Sequence, residues 1–271
     1  MRMILRRQPR PELRAFVKTL WASAPSENPT ALTASRERGL PTGDMHLAFR
    51  LDSPLRLFRN IDDAASYTVG HAVVGGVRES FCVKDVSDPV SSVGAQLHAG
   101  AAEMFFGVPA DELAGHHTLL DDLWGRSATL ILDQLRDTQS LERRLDLFEW
   151  ILASRVRAVR GLHPAVAHAL TRFTLTGSIN EIVKETGYSH RRFIALFRRD
   201  VGLPPKAYSR ILRFQEAIRR ITSDRSIEWA GLALDAGYSD QSHFNREFRE
   251  FAVSRRKNTG GLHPFLRTTC R

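Results

Sequence analysis

The spacing of apolar residues changes period along this 271-residue chain. From Asp44, the residues Met45, Leu47, Phe49 and Leu51 alternate with His46, Ala48, Arg50 and Asp52, the two-residue repeat of a half-buried strand. Residues 67–77, 80–86 and 90–97 continue as short β-branched runs broken by Gly and Pro, which predicts an antiparallel sheet or a small barrel. Ahead of them, Leu13, Phe16, Val17 and Leu20 follow a Pro9-x-Pro11 break at helical spacing and predict a short amphipathic helix ending at Trp21. Residues 23–42, rich in Ser, Pro, Thr and charge, predict a loop. After Leu97 the period becomes helical, over residues 98–106, 121–135 and 141–159. The last of these is amphipathic through Leu141, Leu145, Phe148, Leu152 and Val156.

The remaining apolar runs are also helical, and one phrase among them occurs twice. Gly187-Tyr188-Ser189 leads to Phe193 and Phe197, and Gly237-Tyr238-Ser239 leads to Phe244 and Phe248, with the glycines 50 residues apart (237 minus 187). The Gly ends one helix in a left-handed turn and the Ser caps the next. In each copy two Phe four residues apart share a helical face. The opposite face carries His190, Arg191, Arg192, Arg198 and Arg199 in the first copy, and Asp240, Gln241, Ser242, Asn245, Arg246 and Arg249 in the second. A helix precedes each turn. The first opens with the capping box Ser178-Ile179-Asn180-Glu181, and the second spans residues 226–236 through Ile227, Ala230, Leu232, Ala233 and Leu234. Helix, turn and helix, twice over, predicts two helix-turn-helix units. Pro204-Pro205 starts a long helix between them, continued by Tyr208, Ile211, Leu212, Gln215, Ile218 and Ile221.

Charge then sharpens the picture. Of 39 Lys+Arg and 30 Asp+Glu, residues 162–271 hold 19 and 10, so the whole net charge of +9 lies in the C-terminal part and residues 1–161 are balanced at 20 and 20. A basic module joined to a neutral one is the footprint of polyanion binding. Two cysteines, Cys82 and Cys270, build no disulfide framework, which fits a reduced cytoplasmic compartment. No apolar run of eighteen residues and no export signal is present, so no membrane partner is expected.

The stretch Gly-Tyr-Ser-Asp-Gln-Ser-His-Phe-Asn-Arg-Glu-Phe-Arg at 237–249, with the Gly202-Leu203-Pro204-Pro205 junction and the linker helix, resembles the DNA-binding domain of the AraC/XylS family of transcriptional regulators over roughly residues 162–255. Leu40-Pro41-Thr42-Gly43-Asp44, residues 106–113 and Leu120-Asp121-Asp122-Leu123-Trp124 resemble, less specifically, the cupin-like regulatory domains that precede it. Gly161-Leu162-His163-Pro164 marks the joint. The fold expected is an α+β regulatory or dimerisation domain at 1–160, a small antiparallel sheet or cupin-like barrel plus helices, followed by an all-α DNA-binding domain at 161–271. The resemblance implies base readout by Arg191, Arg192, Gln241, Ser242, Asn245 and Arg246. It implies phosphate contacts from Ser189, Arg198, Arg199, Lys206, Arg210, Ser239 and Arg249. Double-stranded DNA is the expected partner. RNA polymerase, an unidentified small-molecule effector and a second copy of the chain are further candidates.

No catalytic constellation stands beside this reading. His46, His71 and His98 fall one to a segment, the side chains of His116 and His117 diverge, and His163 and His168 are five apart, so neither a metal centre nor a cofactor is expected. Nucleophile elbows and phosphate loops are absent too. The competing class is a small-molecule-binding or enzymatic barrel whose helical tail serves protein contacts.

Overall fold

A computed structural model describes residues 2–25, 35–157, 161–173, 178–223 and 236–252. Among the described residues, ten strands lie in the first half: β1 (Arg2–Arg7), β2 (Val17–Pro25), β3 (Arg36–Gly39), β4 (Met45–Arg50), β5 (Leu55–Phe58), β6 (Tyr67–Gly70), β7 (Ala72–Gly75), β8 (Cys82–Asp85), β9 (Ser92–Leu97) and β10 (His117–Leu119). They make two antiparallel sheets, a six-stranded one in the order β1-β2-β9-β4-β7-β10 and a four-stranded one in the order β3-β8-β5-β6. The alternation read from residue 45 is the register of β4, in which Met45, Leu47 and Phe49 are buried and His46, Ala48 and Arg50 less so.

Helices cover the buried face of the larger sheet. They are α1 (Ala101–Phe106), α2 (Ala110–Leu113), α3 (Leu120–Trp124), α4 (Ser127–Asp137) and α5 (Leu141–Ser154). Phe148 of α5 meets Phe49 of β4 edge to face at 5.9 Å between ring centres. The run read as one helix over 121–135 is two, because Gly125 at φ 58 closes α3 with its amide on the Asp121 carbonyl. The helix expected over 141–159 ends at Ser154, and residues 158–160 lie outside the described set.

The expected helix near Trp21 is not formed. Leu13 belongs to a single 3-10 turn, Pro11–Leu13, and Val17 and Leu20 belong to β2, which is hydrogen-bonded to β1 on one side and β9 on the other. Pairing with β9 from Val17 and with β1 from Leu20 buries Val17, Leu20 and Ala22, so tertiary pairing overrides a helical spacing that a short segment shows by accident. The loop expected over 23–42 contains the end of β2 and all of β3, while residues 26–34 lie outside the described set.

The second half is helical: α6 (Pro164–Phe173), α7 (Ile179–Thr186), α8 (His190–Val201), α9 (Pro205–Ser223) and α10 (Gln241–Ala252). The helix expected over 226–236 falls almost wholly on residues outside the described set. One continuous apolar core takes in the sheet, α5, Phe193, Phe197, Ile211 and Phe214. The strand-rich half and the helical half therefore share one interior. Seam contacts are specific: the Gly100 amide donates to the Asp200 carbonyl at 3.1 Å, the His163 amide to Asp200 Oδ2 at 2.9 Å, and Gln215 Nε2 to the Pro41 carbonyl at 2.6 Å.

Candidate nucleic-acid interface

The first unit is built as its phrase implies. Gly187 ends α7 at φ 72, a backbone that L side chains rarely adopt, and Ser189 accepts the Arg192 amide on its hydroxyl at 3.3 Å. Phe193 and Phe197 are fully buried. Their rings sit 5.8 Å apart, and Phe197 meets Phe173 of α6 and Tyr208 of α9 edge to face, each at 5.6 Å. Burying each such ring contributes about 1.5 to 3 kcal/mol, which clamps α8 by one side. At about 100° per residue, the direction opposite Phe193, Phe197 and Val201 passes through Ala195. Arg191 and Arg198 flank it on one side and Arg192 and Arg199 on the other. All five residues are exposed. Ser178 stands at the start of α7 without a side-chain capping bond, so the expected capping box is not made.

The turn and second helix of the second unit repeat the plan with a different cap. Gly237 is at φ 79, yet the α10 amide of His243 goes to Asp240 Oδ1 at 2.7 Å, and Ser239 Oγ donates to Asp240 Oδ2 at 3.1 Å. The cap expected of Ser239 thus belongs to Asp240, whose ionised side chain is the stronger acceptor at a helix N-terminus. The His243 amide, with help from Ser239 and the Ser242 amide, holds the Asp240 carboxyl below its ordinary value. Phe244, Phe248 and Phe251 are buried, the last two with ring centres 5.4 and 5.0 Å from Phe214 of α9. Phe214 was not among the apolar positions read for that helix, although its spacing of three from Ile211 was available. Ser242, Arg246 and Arg249 point away from this anchor and are exposed. Gln241 is exposed in the first turn, and Asn245 is half-buried at the edge of the face.

Two of the arginines expected at phosphates are engaged within the protein. Arg210 is only 23% exposed; its Nε lies 2.7 Å from Glu247 Oε1, a second nitrogen lies 2.6 Å from Glu250 Oε2, and its guanidinium stacks 5.1 Å from the Phe251 ring centre. It ties α9 to α10. Arg199, 57% exposed, reaches Glu103 of α1 at 3.5 Å. Lys206 is exposed in the first turn of α9.

The polar centre of the second unit lies outside the residues that the sequence pattern singles out. Glu247, buried at 7% side-chain exposure, faces Arg210, Arg213 of α9 at 3.6 Å and His243 at 3.5 Å. Arg213 stacks 5.3 Å from the Tyr238 ring centre and donates to the Gly237 carbonyl at 3.3 Å. Burial, then Glu247, raises the Tyr238 hydroxyl above its ordinary value. A carboxylate one residue before an anchoring Phe, with arginines three apart on the preceding helix, was the available signal.

Among the described residues no group of His, Cys, Asp and Glu could hold a metal ion, and no helix is long and apolar enough to cross a membrane.

The profile of a helix-turn-helix domain matches residues 182–253, and that of a domain of unknown function, DUF6597, matches residues 5–119. No curated protein sequence matches significantly. Among solved structures, ToxT from Vibrio cholerae is similar at 10% identity and a TM-score of 0.44, covering 88% of this chain and all of that one. ToxT from strain SCE256 bound to an unsaturated fatty acid is similar at 13% identity and a TM-score of 0.41, covering 84% and 94%. These are loose superpositions. The profile match over both described recognition helices, and the aromatic anchoring those helices share, mark residues 182–253 as a DNA-binding helix-turn-helix domain of the AraC type, that of a transcription regulator.

Proposed function

We propose that α8 and α10 enter successive major-groove faces of one duplex, with Arg191, Arg192, Gln241, Ser242, Asn245 and Arg246 reading base edges. Ser189, Arg198, Arg199, Lys206, Ser239 and Arg249 contact phosphates. The observation that supports this most is the pairing of two aromatic-anchored helices with exposed basic faces on either side of α9. That helix has 19 residues and is about 28 Å long at about 1.5 Å per residue. Successive major-groove faces recur about every 34 to 36 Å, a span that such a rod with a recognition helix at each end matches. The N-terminal half supplies control: it grips the first unit through the seam at Asp200, so a small molecule bound within it would act on α8 through that seam.

The test is selection of duplexes from a random-sequence library by the full chain, then affinity for the selected duplex against salt. A bipartite sequence is expected. With about 6 to 10 phosphate contacts, affinity falls about 10³- to 10⁵-fold between about 50 and 200 mM salt. A flat salt response, or selection of no sequence, overturns the reading.

A further inference from the structure

We infer that Glu247 is a positioning residue for base recognition by α10: held between Arg210 and Arg213 of the linker helix, it sets the axial rotation of α10, and with it the aim of Ser242 and Arg246. This rests on the reading that α10 enters the major groove.

The aromatic anchor alone leaves that rotation loosely specified. Contacts among Phe214, Phe244, Phe248 and Phe251 are non-directional, and apolar packing tolerates small rotations of a helix at little cost. Hydrogen bonds to charged groups are directional and short. Here they come in a fork. Arg210 reaches Glu247 with Nε at 2.7 Å and Glu250 with its terminal nitrogen at 2.6 Å, two points less than one turn apart along α10. Arg213 holds the Gly237 carbonyl in the turn before the helix and also faces Glu247. The linker helix therefore grips the recognition helix at its entrance and along its body. Arg246 adjoins Glu247 in the chain, and any rotation of α10 carries it across the groove.

A structural purpose alone explains this arrangement poorly. Taking a carboxylate out of water costs several kcal/mol, and well-packed apolar residues in place of a buried ion pair are often as stable or more so. The directional clamp is what an apolar replacement would not supply.

The experiment is the library selection above with the wild type, Arg246→Ala, Glu247→Gln and the double variant Arg210→Met/Glu247→Met, each first checked for a cooperative thermal transition. Arg246→Ala identifies the base pairs read by α10 as those at which preference relaxes. Both Glu247 variants are expected to stay folded and to lose about ten-fold discrimination at those base pairs. Discrimination at the base pairs read by α8 is expected to be unchanged. The double variant matters because it replaces the buried charges by apolar volume, so lost stability does not account for its phenotype. Unchanged discrimination in both halves, or an equal loss in both, overturns the inference while leaving the function standing. Failure of the wild type to select any sequence overturns the function and, with it, this inference.

Discussion

Arg246 and Arg199 carry the same side chain on helices of the same plan, yet their surroundings assign them different work. Arg246 stands opposite the Phe244 and Phe248 anchor in the middle of α10 and is exposed. Arg199 lies in the last turn of α8 and already pairs with Glu103 at 3.5 Å, an exposed contact of the kind worth little in water. Phosphate oxygens compete with such a carboxylate easily. Arg246→Ala is therefore expected to cost about 1 to 3 kcal/mol on the selected duplex and to relax preference at one base pair. Arg199→Ala is expected to weaken selected and random DNA alike and to lower the salt slope by about one unit. Affinities of both variants on both kinds of DNA, at two or more salt concentrations, check this. The reverse pattern would mean that the faces of α8 and α10 are wrongly oriented.

Elements here are held by their neighbours as much as by their own sequences. The strands β4 and β10 both flank β7, and His46 and His117 both pair with Gly75, which brings two imidazoles together on one face of the larger sheet. Arg78 donates to His117 Nε2 at 3.1 Å. Burial first, and then the charges of Lys84, Arg78 and Lys18, hold His46 down to about 3; burial, then Arg78 and Lys84, does the same for His117. Both bases are thus neutral in the folded sheet, whereas in the unfolded chain they take up protons near the ordinary value of 6.5. Between those values the unfolded state binds more protons, so stability is whole above about 6.5 and is lost as pH falls from there toward about 3. Melting temperature measured from about pH 8 to pH 5 is expected to fall with acidity, and the double variant His46→Gln/His117→Gln to show a shallower slope. An identical slope would mean that carboxylates elsewhere carry the whole dependence.

At the scale of the whole molecule, the seam decides how the halves communicate. Gly202 ends α8 at φ 89, and a Cβ there would stand 2.5 Å from Val77 Cγ2 and 2.9 Å from the Ala110 carbonyl oxygen. Both the backbone conformation and the space exclude a side chain. Gly202→Ala is expected to force α8 away from α2 and to destabilise the chain by about 1 to 3 kcal/mol, the scale of a strained or overpacked site. Loss of the Asp200 contacts should make the first unit more open to proteolysis than the N-terminal half. Limited proteolysis with thermal unfolding checks this; a variant as stable and as protected as the wild type would mean that the halves touch without holding one another.

The sequence by itself determined the two glycine turns with the Phe-anchored helices that follow them, the strand at residues 45–50 and the basic excess, because each is a local regularity. A glycine turn, a Phe pair at a spacing of four and a two-residue alternation report on their own neighbourhoods. The Asp240 cap was local too, but Ser239 and Asp240 are both competent acceptors, and only backbone geometry chooses between them. What tertiary structure alone decided are the contacts between segments distant in the chain. Val17 became part of a strand because β9 lay beside it, and Leu20 because β1 and β9 lay on either side. Arg210 became a clamp because Glu247 and Glu250 came within reach across 37 and 40 residues. A charge on a helix face looks the same in sequence whether it meets DNA, water or a buried carboxylate, and packing is what distinguishes them.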